Sequence, residues 1–411
     1  MFHAKRGPIL TALGGFGLWM IALVATYVVL EIVVFRMSHS ALAVGVLFVL
    51  RRVAAMVTAS PSGSFVDRHP KAPLLAGVCL VAAACVAVPL GMLTLWVAYA
   101  LIFAVAILET LYRAAFTPYW REVVAPEDRP RANAMREFLQ GAALLLGPAA
   151  VAASYLRAGA SGAFGMALGL FVAAALVVAT QIRGEAVLSP PSGSRERMTF
   201  RGDLARVGAF FRAEPLITRV LLLYNLAIVV SNAVDAQAVV FAIRALRLAP
   251  AGFALLTAMG GLGGLVGSAV LVGVGGRFPP RWALLLGAPV AASGFLLYAV
   301  APGFAVAAAG LVLLGAAQGA ANVGYATFIQ TVIPRDQMAR ILSSVRSIFA
   351  GLTLVLAVAA TGAVPIVGIR AVTVVGAAAM VLAAGFLGRQ VARGPATHFA
   401  TTSPAPAHRG S

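Results

Sequence analysis

Glu122-Val-Val-Ala-Pro126-Glu-Asp128 has a counterpart in Gln330-Thr-Val-Ile-Pro334-Arg-Asp336, about 208 positions later in the chain. A second pair lies at nearly the same offset, 209 positions: Asp67-Arg68-His-Pro70-Lys71 and Gly276-Arg277-Phe-Pro279-Pro. The first pair follows the fourth and tenth apolar runs of the sequence, and the second pair follows the second and eighth. Two such matches predict duplicated halves, which pack around a pseudo-twofold axis with a substrate cavity near the bilayer midplane.

The composition places these halves in a membrane. Of the 411 residues, 61% are hydrophobic and 11% are charged, and the mean hydropathy is +0.95. A soluble domain carries about 25% charged residues, so these charges are too few to cover a water-exposed surface. The formal net charge is +18. The basic residues stand singly between apolar runs, as topology signals do, so we expect no nucleic-acid partner.

Twelve apolar runs are long enough to cross a bilayer as helices, which takes about 20 residues each. We therefore predict an all-α membrane protein with two pseudo-symmetric six-helix bundles. The predicted parts are an N-terminal bundle (1–182), a cytoplasmic linker with an amphipathic helix (183–215), a C-terminal bundle (216–389) and a disordered cytoplasmic tail (390–411). The predicted spans are 9–35, 41–63, 73–92, 94–117, 134–156, 162–182, 216–242, 249–274, 282–300, 303–329, 342–362 and 366–388.

The basic residues also predict the orientation. With both termini inside, 22 Lys and Arg residues fall on the cytoplasmic side and 5 on the other side. Because basic residues are enriched on the cytoplasmic side, both termini are predicted to be cytoplasmic, in a bacterial inner membrane. The first run follows Lys5 and Arg6 and is too long for a cleavable signal peptide. We expect a monomer.

ATP is excluded as a directly bound energy source. A phosphate-binding loop needs Gly-Lys-Ser/Thr, and the two lysines, Lys5 and Lys71, precede Arg6 and Ala72. No cofactor or metal site is predicted, and Cys79 and Cys85 are interpreted as packing residues within one apolar run. An ion gradient or a substrate gradient must then drive any transport.

A loop motif resembles the major facilitator superfamily of transporters. Gly63-Ser-Phe-Val-Asp67-Arg68-His-Pro-Lys71 is similar to that superfamily's signature between its second and third helices. The resemblance implies that Gly63, Asp67, Arg68 and Lys71 form a conformational latch, with the start of the eleventh span as partner. A carboxylate there can also meet a helix N-terminus. The alternative is a solvated turn with topology charges.

A longer motif resembles one branch of that superfamily. Pro118-Tyr-Trp-Arg-Glu-Val-Val-Ala-Pro126-Glu-Asp128, then Ala132-Asn133-Ala134 and Gly147-Pro148, is similar to bacterial exporters such as the macrolide-efflux proteins and the enterobactin exporter. The Gly-rich stretch 260–267 resembles the eighth helix of the same branch. The resemblance implies the major facilitator fold and export of a small molecule.

Three acidic residues within the spans are proton-coupling candidates, because charge inside a bilayer is costly and usually functional or paired. They are Glu109, Asp235 and Glu31. Glu109 and Arg113 share a helix face and can pair directly, so a permanent structural ion pair is the alternative for Glu109. For Glu31, the alternative is a solvated helix end.

Other polar residues within the spans are candidates for the substrate cavity. Structural ion pairing is the alternative for the basic members, and polar contacts between helices are the alternative for the others. Four aromatic residues, Trp19, Tyr27, Tyr112 and Trp120, are predicted either to line a cavity for apolar cargo or to anchor span ends. The cavity candidates are Arg51, Arg52, Arg113, Asn225, Asn232, Gln318, Asn322 and Tyr325.

The sequence therefore predicts a secondary active transporter that exports a small amphipathic molecule, a drug or siderophore-like metabolite, in exchange for protons. Uptake, facilitated diffusion and flipping of a lipid-like substrate remain open alternatives. A non-transporting sensor or a membrane enzyme is disfavoured, because the spans contain no hydrolytic or metal-binding constellation.

Overall fold

The computed structural model describes residues 6–125, 129–181, 211–274, 280–333 and 335–393, and every long element in these ranges is a helix. Eleven helices are long and apolar enough to cross a membrane. The helices are α1 (Arg6–Ser38), α2 (Ala41–Asp67), α3 (Lys71–Gly91), α4 (Leu95–Val123), α5 (Arg129–Ala179), α6 (Pro215–Asp235), α7 (Ala238–Val240), α8 (Pro250–Val274), α9 (Pro280–Val300), α10 (Phe304–Val332), α11 (Arg335–Val367) and α12 (Ile369–Arg393).

Helix α5 accounts for two crossings. Its apolar part, Phe138–Ala179, has 42 residues, which would extend about 63 Å as a straight helix, roughly twice the hydrocarbon thickness. The backbone leaves the helical region at Ala158 and at Gly159, where φ is 60°. A left-handed φ is readily adopted by glycine. Counting both sides of this break gives twelve crossings, as the sequence predicts, and the all-α fold is confirmed.

Side-chain caps mark the start of two helices after very short turns. Ser40 accepts a hydrogen bond from the backbone of Ala43 at the start of α2. Thr94 accepts one from Val97 at the start of α4. These caps satisfy backbone N–H groups that have no partner within the helix. Short capped turns make consecutive helices antiparallel neighbours.

The helices of each half pack mainly on one another. In the first half α1 and α3 pack on α5, and α2 packs on α4. In the second half α10 packs on α8 and α9, and α12 packs on α6 and α9. Helices α5 and α8 contact each other between the halves, as do α2 and α11. The cavity described below lies between the two sets.

The predicted ends of the two bundles are only partly within the described residues. Most of the predicted linker, 182–210, lies outside them, and so does the amphipathic helix assigned to it. The same holds for 394–411, most of the predicted tail. Helix α12 continues to Arg393, so positions 390–393 are helical and not disordered as predicted.

Candidate functional site

A cavity of about 790 Å³ lies between the two halves of the chain. We call it the central cavity. The first half contributes Val24 from α1 and Gln140, Gly141 and Leu144 from α5. The second half contributes residues of α6 to α10 and of α12. Pockets of about 300–1,000 Å³ are typical for small organic ligands. The cavity therefore has the position and size expected of a substrate site.

Four of the predicted polar residues line the central cavity. Asn232 and Asp235 reach it from α6, and Gln318 and Asn322 reach it from α10. The side chains of Asp235 and Asn322 are exposed, and those of the other two are half-buried. The predicted polar residues of these two helices thus meet across one space.

Asn225 and Tyr325 do not line the central cavity but join α6 to α10. The amide of Asn225 donates to the Tyr325 hydroxyl over 2.6 Å. The Tyr224 hydroxyl donates to the side-chain carbonyl of Asn322. The rings of Tyr224 and Tyr325 stack with centroids 4.0 Å apart. Asn225 and Tyr325 therefore make the polar contact between helices that was the alternative to cavity lining. The bond from Tyr224 holds Asn322 at the cavity wall.

The seventh crossing is interrupted beside the cavity. Helix α6 ends at Asp235, the chain passes through Ala236 and Gln237, and α7 leads into a π-helical turn, Phe241–Ala245. The continuous span 216–242 predicted from the sequence is therefore wrong at this point. No Gly or Pro lies at the joint, so the residues that usually signal a break are absent. Discontinuous helices in transporters expose helix ends at binding sites.

Glu109 lies at the centre of a polar network in the first half. One carboxylate oxygen accepts from the Tyr27 hydroxyl over 2.6 Å and lies 4.0 Å from the guanidinium of Arg51. The other lies 2.8 Å from a guanidinium nitrogen of Arg113. The Arg51 guanidinium also lies over the Tyr27 ring, 4.2 Å from its centroid. The predicted Glu109–Arg113 pair is present, and Arg51 approaches the same carboxylate.

The other two embedded carboxylates differ from Glu109. Glu31 is half-buried on α1, one turn beyond Tyr27, and it interacts electrostatically with Asp235 and Arg51. Within the described part of the chain, two ion pairs have a separation of 4.0 Å or less, and Glu109 is the acidic partner in both. Neither pair includes Glu31 or Asp235. Arg52 packs over the ring of Phe48, 5.0 Å from its centroid. It interacts electrostatically with Glu109 but forms no ion pair with that carboxylate within 4.0 Å.

The aromatic candidates occupy the interior of the first half. Trp19 stacks on Tyr112 with centroids 4.2 Å apart, and Trp120 packs on Phe116. The side chains of these two stacked pairs, Trp19 with Tyr112 and Trp120 with Phe116, are each less than 5% exposed. Trp19, Tyr112 and Trp120 are thus core residues, and neither predicted role, cavity lining or interface anchoring, describes them. Tyr27 is the exception, because it bonds to Glu109.

The two halves meet closely where the first two helices turn, in a contact region we call the outer seam. Gly45 of α2 faces Thr361 of α11 so closely that an added Cβ would overlap the Thr361 side chain. Gln237 donates to the Thr361 hydroxyl over 2.7 Å. Arg244 donates to the carbonyl of His39 and lies over the ring of Phe35. The Gly45 contact joins α2 to α11, and the Arg244 contacts join the end of α1 and the turn after it to the π-helical turn. The bond from Gln237 lies within the second half and holds the Thr361 side chain.

The predicted latch is only partly within the described side chains. Lys71 donates to the carbonyl of Val66 over 2.7 Å and to that of His69 over 2.8 Å. Arg68 is exposed. Gly63 and the side chain of Asp67 lie outside the described part, and so do the side chains at the start of α11. The latch therefore stays a prediction.

The Gly-rich part of α8 permits close approach of two other helices. A Cβ at Gly261 would overlap the backbone of Leu144 on α5, across the two halves. A Cβ at Gly263 would overlap the backbone of Val312 on α10. Because these neighbouring atoms belong to the backbone, no rotamer change can make room. These glycines set the distance between helices on one side of the central cavity.

The sequence was compared with models of known protein families. A sequence model of the major facilitator superfamily matches residues 9–357, which is most of the chain. The chain belongs to the major facilitator superfamily. The twelve crossings, the paired halves and the cavity between them are features of transporters with this fold. No curated protein is significantly similar in a direct sequence comparison.

Solved structures of superfamily members share the fold at low identity. A bacterial homologue of the human lysosomal transporter Spinster, inward-facing and unoccupied, has 14% identity and a TM-score of 0.66, with 96% of this chain and 97% of that one covered. A bacterial homologue of the iron transporter ferroportin, inward-facing, has 17% identity and a TM-score of 0.68, covering 95% and 100%. The nucleoside transporter NupG has 11% identity and a TM-score of 0.72, covering 93% and 100%. The diversity of these proteins means that the fold leaves the substrate open.

Proposed function

We propose that this superfamily member is a secondary active exporter of a small amphipathic molecule, working by alternating access with proton antiport. The observation that carries the proposal is the central cavity of about 790 Å³, which is lined from both halves. A site shared by two halves changes its access when one half rocks against the other. The exporter branch of the superfamily, with drug or siderophore-like substrates, is proposed from the motif at 118–148.

The contacts between the halves support alternating access. In the predicted orientation, the outer seam lies at the outward end of the helices and α5 packs against α8 beside the cavity. Opening the outer seam would separate Gly45 from Thr361 and Arg244 from His39.

The embedded carboxylates support proton coupling. Glu109 is held by Tyr27, Arg51 and Arg113, so its protonation would release both arginines from their partner. Glu31 and Asp235 lie within electrostatic range of Arg51, so Arg51 would be free to strengthen its interaction with them. Proton binding in the first half would thereby change the electrostatics at Asp235, a cavity residue of the second half.

The setting proposed for this cycle is a bacterial inner membrane. The distribution of Lys and Arg supports cytoplasmic termini, and a monomer contains a complete cavity. The proposed partners are protons, the small-molecule substrate and the lipid bilayer.

Transport by the purified chain in liposomes tests the proposal. Under an imposed pH gradient, a panel of dyes, antibiotics and siderophores should include a substrate whose movement is coupled to proton flow in the opposite direction. Glu109→Gln should abolish this coupling, whereas Glu214→Gln, a change at an exposed helix cap, should preserve it. Substrate movement with protons in the same direction would establish uptake. Scrambling of a fluorescent lipid without solute transport would establish the flippase alternative.

A further inference from the structure

We infer that the central cavity binds an amphipathic organic cation and that Asp235 is its counter-ion. The inference rests on the proposed function, because it assigns a substrate class to the cavity through which export would occur. It follows from the charge of the cavity wall, the helix end beside the cavity and the apolar surface of the cavity.

The charge of the cavity wall is negative. Among the described residues that line the cavity, Asp235 is the one acidic or basic residue. Its carboxylate is exposed, and no ion pair within 4.0 Å involves it in the described part of the chain. A carboxylate in such a site attracts a cation, since an unpaired charge within a membrane protein is unfavourable.

The backbone adds to this negative potential. Asp235 is the last residue of α6, a helix of 21 residues that stops beside the cavity. A helix C-terminus carries about half a negative charge, so an acidic residue there is repelled by about 0.3–1 kcal/mol. An aspartate at this position works against the stability of its own helix. A positively charged ligand would offset both the carboxylate and the helix end.

The arginines of the first half do not make the electrostatic potential at the cavity wall positive. Arg113 bonds to Glu109, and Arg52 packs against Phe48. Arg51 is the basic residue that interacts electrostatically with Asp235, but it is shared with Glu31 and lies 4.0 Å from Glu109. An anionic ligand beside Asp235 would meet two carboxylates, those of Asp235 and Glu31, and one arginine that is already paired.

The rest of the lining suits an uncharged body. Leu144, Leu311 and Leu314 present partly exposed aliphatic surface to the cavity. Asn232 and Gln318 lie on the same wall as Asp235 or opposite it, and their carbonyl oxygens can accept N–H donors from an ammonium group. The cavity volume of about 790 Å³ suits a drug-sized molecule. A cationic group with an apolar body matches both parts of the wall.

Binding to the purified full-length protein tests the inference without requiring transport. Ethidium serves as the cationic probe, 8-anilinonaphthalene-1-sulfonate as the anionic probe and Nile red as the neutral probe, each followed by fluorescence. The wild type should bind ethidium in preference to the sulfonate. Asp235→Asn should weaken ethidium binding at least tenfold, about 1.4 kcal/mol, and leave Nile red binding within twofold. Asp235→Glu should recover most of the ethidium affinity, and Glu214→Gln should change neither.

The outcomes separate this inference from the proposed function. Equal ethidium affinity in Asp235→Asn, or preferential binding of the sulfonate by the wild type, overturns the inference. Export of neutral or anionic solutes alone overturns it as well, while the proposed export stands. Ethidium binding through Asp235 in a protein that transports no solute supports the inference and contradicts the proposed function. Monodisperse gel filtration of each variant verifies that the variant is folded.

Discussion

Tyr27 donates its phenolic hydrogen to Glu109 over 2.6 Å and so ties α1 to α4 across 82 positions of the sequence. The acceptor is ionised in this network, because two arginines face it. Hydrogen bonds to charged groups contribute about 1.5–3 kcal/mol, against about 0.5–1.5 kcal/mol for neutral pairs. The bond is therefore a stronger link between α1 and α4 than a bond to a neutral acceptor would be.

Tyr27→Phe should lower the stability of the detergent-solubilised protein by about 1.5–3 kcal/mol. The matched control is Tyr99→Phe, since the Tyr99 hydroxyl donates to the neutral backbone carbonyl of Ala43 over 3.0 Å. That change should cost only about 0.5–1.5 kcal/mol. Thermal unfolding followed by fluorescence measures both. Equal losses would mean that the Glu109 carboxylate does not strengthen the bond.

Gly45→Leu should open the outer seam, because its side chain would overlap Thr361. Overpacking costs about 1–3 kcal/mol, which shifts an equilibrium by about five- to 150-fold. The readout is labelling of Asn232→Cys by a membrane-impermeant maleimide from outside, in a background with Cys79 and Cys85 replaced by alanine. Labelling should be faster with Gly45→Leu than without it.

The control for this experiment is Gly77→Leu, since the position of a Cβ at Gly77 faces open space. It should leave the labelling rate of Asn232→Cys unchanged. Labelling that is no faster with Gly45→Leu would show that the outer seam does not limit access to the central cavity from outside.

Gly261→Ala should destabilise the protein by about 1–3 kcal/mol, because the added Cβ meets the backbone of Leu144 and the two halves must shift. Gly165→Ala should instead stabilise it by up to about 1 kcal/mol, since Gly165 has open space around it and alanine is the better helix former. Thermal unfolding gives the sign of each change. A stabilised Gly261→Ala variant would contradict the close packing of α5 on α8.

Asn225→Ala should affect stability and Asn232→Ala should affect ligand binding, although both residues lie on one helix. Asn225 holds Tyr325, and polar bonds between membrane helices average about 0.6 kcal/mol, so its loss should reduce stability by about that amount. Asn232 lines the central cavity, so its replacement should alter ligand binding and leave unfolding unchanged. Thermal unfolding and ethidium titration of both variants distinguish the two roles.

The parts of this structure that depend on local sequence were predictable. Apolar runs fix the crossings, and the turn between the fifth and sixth crossings falls where the backbone breaks at Gly159. The Glu109–Arg113 pair follows from four-residue spacing on one helix. In each case the interacting groups are close in sequence, so helical periodicity is sufficient to place them.

The contacts between distant segments were not predictable from one sequence. Nothing in the pattern around Tyr27 indicates Glu109 as its partner, and nothing around Gln237 indicates Thr361. The end of α6 at Asp235 could not be predicted either. The residues that follow it are ordinary helix formers, and tertiary packing overrides their propensity. Asn225 and Asn232 look alike in the sequence, and only the position of α10 gives them different surroundings.

Helix α1 runs without interruption from Arg6 to Ser38 and carries three functional contacts on one rod. Val24 borders the central cavity, Tyr27 holds Glu109, and Phe35 lies beneath Arg244. These positions span about 17 Å of a stiff cylinder. A tilt of that cylinder displaces all three contacts together, so the central cavity, the carboxylate network and the outer seam are mechanically coupled.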